Sequence, residues 1–232
     1  AAVALAEYIA GSEEAFVKLM NERAQDLGMK DTTFKNCTGL SASGHITTAY
    51  DISLMSRELL KHDSILKYTG TYMETISEGR KTPIGLVNHN KLVRFFNGCD
   101  GLKTGFTDEA KYCISATAQK DGVRMLAVIM GSPTYKVRNK DAGMLMNYGF
   151  SKYESKKVVT KGAEVAKIEL NKKGDRYFMA KSFEDLNVIL EKGKPNKITF
   201  KCVINSDKKD FKANEEVGYS EIYSDEVLVG KV

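Results

Sequence analysis

The spacing of apolar residues predicts two helices near the start of the chain. In residues 12–27 the apolar positions recur every three or four residues, with Ser12 as the expected N-cap and Gly28 as the residue that ends the helix. Residues 49–61 repeat this spacing. Both segments are therefore expected to be helices that bury one apolar face.

The middle of the chain changes to the period of a β-strand. Residues 112–118 alternate in polarity, residues 120–122 read Lys-Asp-Gly, and residues 123–130 form a second apolar run. An Asp-Gly turn between two such runs predicts an antiparallel hairpin. Residues 101–107 are short enough to form the neighbouring strand.

A third helix is predicted over residues 135–148, with Gly149 ending it. After residue 150 the pattern changes to short apolar runs separated by turns rich in glycine and lysine. Such runs predict a small, sandwich-like all-β domain, so the chain divides into residues 1–151 and residues 152–232. The runs are residues 163–170, 177–180, 188–190, 198–204 and 227–229.

Composition is that of a soluble globular protein, with 232 residues, 42% apolar and 28% charged. The net charge of +5 is not concentrated in a basic block, so nucleic-acid binding is not expected. No stretch reaches the roughly 18 to 20 apolar residues that cross a membrane. The chain starts at Ala1 without a Met or a basic leader, which predicts a mature or trimmed product.

Cysteine and histidine spacing gives no support for a metal site. No cysteine pair has the C-x-x-C spacing, and the histidines form no H-E-x-x-H pattern. A core of this size does not need disulfides, so free, buried thiols are expected. The residues concerned are Cys37, Cys99, Cys113, Cys202, His45, His62 and His89.

The strongest candidate chemistry is the sequence Lys103-Thr104-Gly105, just before the predicted hairpin. K-T-G is one motif of penicillin-binding proteins and class A β-lactamases. A substrate can lie antiparallel along an outer strand and use its main-chain hydrogen bonds. Gly105 would leave room for that approach, Thr104 would offer its hydroxyl to a carboxylate, and Lys103 would place positive charge beside a nucleophile.

Longer stretches around this motif resemble the low-molecular-mass penicillin-binding proteins, the serine D-alanyl-D-alanine carboxypeptidases. The stretches are "GSEEAFVKLMNERAQDLGM", "CTGLSASGHITTAYDISLMSREL", "NHNKLV", "DGLKTGFTDEAKYCISATA" and "RMLAVIMGSP". The resemblance covers residues 1 to about 150. It implies an α+β fold of the serine-transpeptidase and β-lactamase type, with an antiparallel sheet and packed helices, followed by the β-domain. It implies no metal or organic cofactor.

The resemblance also assigns roles to individual residues. Lys103 becomes a catalytic lysine, Thr104 and Gly105 bind substrate, and the backbone N–H of Phe106 completes an oxyanion hole. Arg138, which the sequence alone would make a charge on a helix surface, is expected to bind the terminal carboxylate of D-alanine.

The nucleophile of this family is missing from the catalytic part of the chain. S-x-N occurs nowhere, and the S-x-x-K string from Ser206 to Lys209 lies in the polar tail, where it is expected to be a turn. Both motifs are expected in an N-terminal segment of the same protein that precedes Ala1. The chain alone is therefore expected to be inactive.

Other candidate catalytic groups have simpler structural interpretations. Cys99 and Cys113, with His89 near them in sequence, could suggest a thiol enzyme, but packing cysteines are favoured. Thr48 and Asp51 suit a capping box, so Asp51 is interpreted as a helix N-terminal carboxylate and not as a general acid. His45 is interpreted as structural.

The resemblance implies a hydrolase that removes D-alanine from the peptidoglycan stem peptide, takes part in cell-wall biogenesis and cell shape, and is inhibited by β-lactams. It would be secreted and act at the outer face of the bacterial membrane, held only by an anchor that this sequence does not include. Two alternatives remain: a catalytically silent fragment or module that binds stem peptides, and a β-lactamase.

Overall fold

A computed structural model describes residues 1–170, 173–174, 176–205, 212 and 215–231. The chain forms two compact units. The first contains residues 1–120 and 124–150, and the second contains residues 121–123 and 151–232. In the described residues no helix is long and apolar enough to span a membrane. The Ser206–Lys209 string lies outside the described residues.

The first unit combines helices with a three-stranded antiparallel sheet of order β3-β4-β5 and a separate hairpin, β1-β2. The elements are α1 (Ala2–Ala10), α2 (Glu13–Asp26), α3 (Ala49–Leu59), α4 (Ser64–Thr69), β1 (Met73–Ile76), β2 (Ile84–Val87), α5 (Leu92–Phe95), β3 (Cys99–Thr107), β4 (Lys111–Lys120), β5 (Val123–Ser132) and α6 (Tyr135–Lys152).

Helix α2 begins and ends where the sequence predicts. Ser12 has an extended backbone, and its side chain accepts a hydrogen bond from the N–H of Ala15, which satisfies one of the free donors of the first turn. Gly28 follows the helix with a φ of +74°, a conformation that favours glycine.

Helix α3 shows only half of the expected capping box. Thr48 accepts from the N–H of Asp51 at 3.1 Å, as predicted. The Asp51 carboxylate does not reach back to Thr48. It is almost fully buried and accepts hydrogen bonds from the N–H of Asp31 and the hydroxyl of Thr32. Asp51 therefore ties the start of α3 to the preceding loop, which confirms a structural role.

The predicted hairpin is present as β4 and β5. Asp121 and Gly122, with φ values of +48° and +76°, form the tight turn between the two strands. Strand β4 lies in the middle of the sheet and is buried on both faces from residue 114 to 118. Its alternate residues Ile114, Ala116 and Ala118 join a core with Ala142 and Met146 of α6.

Helix α6 does not stop at Gly149, so that prediction was wrong. Gly149 is a buried residue inside the helix, which continues to Lys152. A Cβ added at Gly149 would lie 2.5 Å from the sulfur of Met125 on β5. The glycine therefore allows close packing between α6 and the sheet, a requirement that local sequence patterns do not reveal.

The second unit is all-β, as predicted, with small antiparallel sheets of order β6-β9, β7-β8 and β10-β11-β12. The sequence pattern missed β6 and β11, in which charged, tyrosine and serine residues interrupt the apolar run. Val188 and Leu190 of β9 pack with Ile222 of β11 in a small core. The strands are β6 (Tyr153–Val159), β7 (Glu164–Glu169), β8 (Tyr177–Lys181), β9 (Leu186–Glu191), β10 (Ile198–Ile204), β11 (Gly218–Ser224) and β12 (Val227–Lys231).

Candidate active site

The Lys103-Thr104-Gly105 segment lies on β3, the outer strand of its sheet. On one side β3 pairs antiparallel with β4, where Lys103 lies opposite Ser115 and Gly105 opposite Cys113. No strand of the described chain pairs with its other side. The three residues therefore lie where an extended peptide could add to the sheet.

The glycines at positions 98, 101 and 105 differ in whether the fold itself requires glycine there. Gly98 has a φ of +81°, and a Cβ added to Gly101 would lie 2.7 Å from the hydroxyl of Thr69, so the fold requires glycine at both positions. Gly105 has an ordinary φ, and an added Cβ would meet nothing within 4 Å. Neither the backbone conformation nor the packing of the described residues requires glycine at position 105, and close approach of a ligand there stays a prediction.

Arg138 and the predicted motif line one cleft of about 610 Å³, a size typical of small-ligand sites. Residues 103–106 of β3 form one wall, and Arg138 reaches the cleft from α6. The aromatic rings of Phe106, Tyr112 and Tyr135 also line it, with Tyr112 4.4 Å from Phe106 and 6.4 Å from Tyr135 between ring centroids. Thus all five predicted site residues lie around the same space.

Arg138 is only 4% exposed, so its interpretation as a surface charge is wrong. Its guanidinium donates hydrogen bonds to the Asn139 side-chain oxygen and, at 3.4 Å, to the Cys113 carbonyl. Burial lowers the pKa of Arg138 from its ordinary value. In the described part of the chain no carboxylate forms an ion pair with it. A buried cation without a counter-charge suits the binding of an anion.

Lys103 lies at the border between this cleft and a larger groove. Its side chain is exposed, and the ammonium donates a 2.6 Å hydrogen bond to the carbonyl oxygen of Thr104. The ammonium therefore rests against the backbone of the strand along which a peptide would lie.

The larger groove, of about 1080 Å³, is mostly apolar. Its lining includes several large side chains that remain more than a third exposed: Leu40, Ile46, Met55, Leu59 and Met130. The hydroxyls of Ser56 and Ser115 share one 2.7 Å hydrogen bond within this lining, and both are almost buried. An apolar surface of this size normally contacts another segment of protein.

Five lining residues of the cleft were not predicted as site residues: Val87, Tyr112, Tyr135 and the two basic residues His89 and Lys91. His89 and Lys91 belong to the "NHNKLV" stretch. The two asparagines beside His89 were the only signal in this stretch that hydrogen bonds could fix its backbone. Asn90 is buried and donates a 2.8 Å hydrogen bond to the carbonyl of Gly101 on β3. Asn88 donates to the carbonyls of Thr69 and Thr71.

The remaining candidate groups have structural contacts. All four cysteines are free thiols, as expected, although only Cys99 is fully buried. Burial raises the pKa of the Cys99 thiol, which makes it a poor nucleophile. His45 packs edge-on against Phe34 at 5.9 Å, in keeping with a structural role. The described residues contain no group of three or more His, Cys, Asp or Glu that could hold a metal ion.

Comparison with protein families gives two matches. Residues 1–134 match the D-alanyl-D-alanine carboxypeptidase family, and residues 153–232 match the C-terminal domain of penicillin-binding protein 5. The D-alanyl-D-alanine carboxypeptidase DacF of Bacillus subtilis is 41% identical over 217 residues, which are 94% of this chain and 54% of the relative. The chain thus spans about half of the length of that relative.

Solved structures agree with these matches. PBP3 of Streptococcus pneumoniae, described as a peptidoglycan synthesis regulatory factor, superposes with a TM-score of 0.79 at 25% identity, covering 98% of this chain and 67% of its own. Penicillin-binding protein D2 of Listeria monocytogenes, in its cefotaxime-bound form, gives a TM-score of 0.58 at 37% identity, covering 64% of this chain and 60% of its own. With its antiparallel sheets, packed helices and β-domain, the chain belongs to the D-alanyl-D-alanine carboxypeptidase family of penicillin-binding proteins.

Proposed function

We propose that this chain is part of a serine D-alanyl-D-alanine carboxypeptidase that removes the terminal D-alanine from the peptidoglycan stem pentapeptide. One observation carries the proposal. The Lys103-Thr104-Gly105 segment of an outer strand shares a cleft with Arg138, a buried cation without a carboxylate partner in the described residues. Such a site suits an extended peptide that ends in a free carboxylate.

The substrate would add to the free side of β3 as an extra strand. Its terminal carboxylate would accept hydrogen bonds from the Thr104 hydroxyl and the Arg138 guanidinium, because charge-assisted bonds are the strongest available in such a cleft. Gly105 would allow the substrate backbone to come close. These contacts would hold the scissile amide near the backbone of Phe106.

The reaction would proceed through an acyl-enzyme. A serine oxygen attacks the carbonyl carbon of the penultimate residue, and the backbone N–H of Phe106, together with that of the serine, stabilises the negative oxygen. The amide bond then breaks, the leaving nitrogen takes up the proton that the serine hydroxyl lost, and D-alanine departs. Water attacks the ester and regenerates the serine. Lys103 would supply positive charge beside the serine hydroxyl.

The serine would come from a segment of the same protein that carries the S-x-x-K and S-x-N motifs. The apolar groove beside Lys103 is where that segment would pack, because its exposed side chains need a protein partner. β-Lactams would mimic the D-alanyl-D-alanine end and acylate the same serine. The substrate would place the enzyme outside the cytoplasm, at the cell wall.

Two other functions are distinguished by labelled penicillin. A stable adduct identifies a carboxypeptidase, rapid turnover identifies a β-lactamase, and no adduct with the whole protein identifies a silent module that only binds stem peptides. The β-domain of residues 153–232 favours the carboxypeptidase over a β-lactamase, which would be expected to have a single domain.

The two glycines of β3 provide a matched test of the peptide-binding edge. Gly105→Ala should leave the melting temperature nearly unchanged but lower acylation by penicillin about tenfold or more, since the new methyl group would face the substrate. Gly101→Ala should instead destabilise the protein by about 1–3 kcal/mol, because it collides with Thr69. Normal acylation of Gly105→Ala would remove this residue from the binding site.

Lys103 should act in the chemical step. Lys103→Ala in the complete enzyme should lower the acylation rate by about 10²–10⁴, the usual range for a positioned acid–base or electrostatic group, without a loss of folding. Lys67→Ala, which removes an exposed lysine on α4, is the matched control and should acylate normally. A folded Lys103→Ala enzyme that acylates at the control rate would contradict this role.

Arg138 should recognise the terminal carboxylate. Arg138→Gln should cost about 1.5–3 kcal/mol in kcat/KM for a D-alanyl-D-alanine peptide, the value of a hydrogen bond to a charged group. A substrate with an amidated C-terminus should lose much less. Because no carboxylate of the described residues pairs with the buried wild-type cation, the variant should keep its thermal stability. Equal losses for acid and amide would show that Arg138 does not read the carboxylate.

Residues 1–232 alone should not form a penicillin adduct. Without the nucleophile, only the weak contribution of the binding groups and half of the oxyanion hole remains. The exposed groove should also make this chain aggregate or unfold with low cooperativity. The check is to express residues 1–232, follow their unfolding and treat them with fluorescent penicillin. Covalent labelling of a stably folded chain would mean that the nucleophile lies within it, and Ser206 would be mutated first.

A further inference from the structure

We infer that the cleft binds a second anionic group of its substrate, through His89 and Lys91. The preferred substrate would then be a D-alanyl-D-alanine peptide that carries a side-chain carboxylate on the residue before this dipeptide. This inference rests on the proposed function and names the class of substrate that the same site selects.

The charges around the cleft motivate the inference. Its lining contains Lys91, Lys103 and Arg138 together with His89, and no aspartate or glutamate of the described residues lines it. One terminal carboxylate can neutralise only one of these cations. Positive charges gathered in a cleft attract anions strongly, because the walls exclude water and concentrate the field. The positive charge that remains therefore favours a ligand with a second anionic group.

His89 is held in place by the residues on both sides of it. Asn88 accepts a 2.8 Å hydrogen bond from the N–H of Asn90, and it donates to the carbonyls of Thr69 and Thr71. Asn90, 1% exposed, donates to the carbonyl of Gly101. His89 itself is exposed and lines the cleft. These hydrogen bonds fix the backbone on both sides of His89 and so keep this residue at the cleft, as binding groups require.

Lys91 is also restrained. Its side chain is half-buried, and its ammonium lies 5.2 Å from the centre of the Tyr72 ring, a cation–π distance. Arg94 contacts the same ring at 5.4 Å. A lysine that is already ordered loses less entropy when it binds a carboxylate than a free surface lysine does.

The cleft is large enough for two anionic groups. Its volume of about 610 Å³ is well within the range of sites that hold whole small molecules. If Thr104 and Arg138 hold the terminal carboxylate beside β3, then His89 and Lys91, which come from the segment after β2, contact a different part of the ligand. A carboxylate further along the peptide is the group that suits them.

The test compares three peptides that differ only at the residue before D-alanyl-D-alanine, whose side chain ends in a carboxylate, a carboxamide or a methyl group. The protein is used as its gene encodes it, and kcat/KM for D-alanine release is measured. The carboxylate peptide should be preferred over the carboxamide by roughly three- to tenfold, as for partly exposed charge-assisted contacts. The preference should appear in KM.

Lys91→Met and His89→Asn should each reduce this preference, and the double variant should use the carboxylate and carboxamide peptides equally. Lys91→Arg should retain the preference. Lys140→Met, which removes an exposed lysine of α6 outside the cleft, is the matched control and should also retain it. Equal use of all three peptides by the wild-type protein, or a preference that survives in the double variant, would overturn the inference.

Failure of the proposed function has a different outcome. If no peptide releases D-alanine, that function is wrong, and the same peptides are then titrated into the protein and followed by NMR. Tighter binding of the carboxylate peptide, lost in the double variant, would support the second anion site even without catalysis. Equal binding, or no binding, would contradict it.

Discussion

The open side of β3 is the constraint on which the candidate site depends. An outer strand presents unpaired backbone groups, which proteins usually cover or blunt. Here β4 fixes β3 from one side, and its buried small residues lock the sheet against α6. Among the described residues no strand pairs with the other side along Lys103, Thr104 and Gly105, and the candidate site is arranged around it.

The burial of Arg138 at this site is electrostatically unfavourable. A guanidinium that is 4% exposed, with neutral partners among the described residues, is an unfavourable group in a stable fold. Its burial lowers its pKa because the charged form loses water. A carboxylate ligand would provide the missing counter-charge. Groups whose pKa is shifted by burial are common at functional sites, in keeping with the proposed role of Arg138.

The cleft lined by His89 and Lys91 and the apolar groove both adjoin the Lys103-Thr104-Gly105 stretch of β3. The first is braced by asparagine hydrogen bonds and supplies positive charge. The second supplies apolar surface, with the Ser56–Ser115 pair as a polar point within it. Lys103 borders both, so in the proposed reaction it would lie between a nucleophile in the groove and a peptide in the cleft.

The sequence by itself determined the features that depend on neighbours along the chain. The caps of α2, the tight turn between β4 and β5, and the strand that carries Lys103-Thr104-Gly105 all follow from local spacing and turn chemistry. The resemblance to the D-alanyl-D-alanine carboxypeptidases added the family and the expected role of Arg138 in binding a carboxylate. Tertiary structure alone decided that Gly149 lies inside α6, that Arg138 is buried and that His89 and Lys91 face the motif. These features arise from contacts between residues far apart in the chain, and the periodicity of one segment contains no information about the surface against which it will pack.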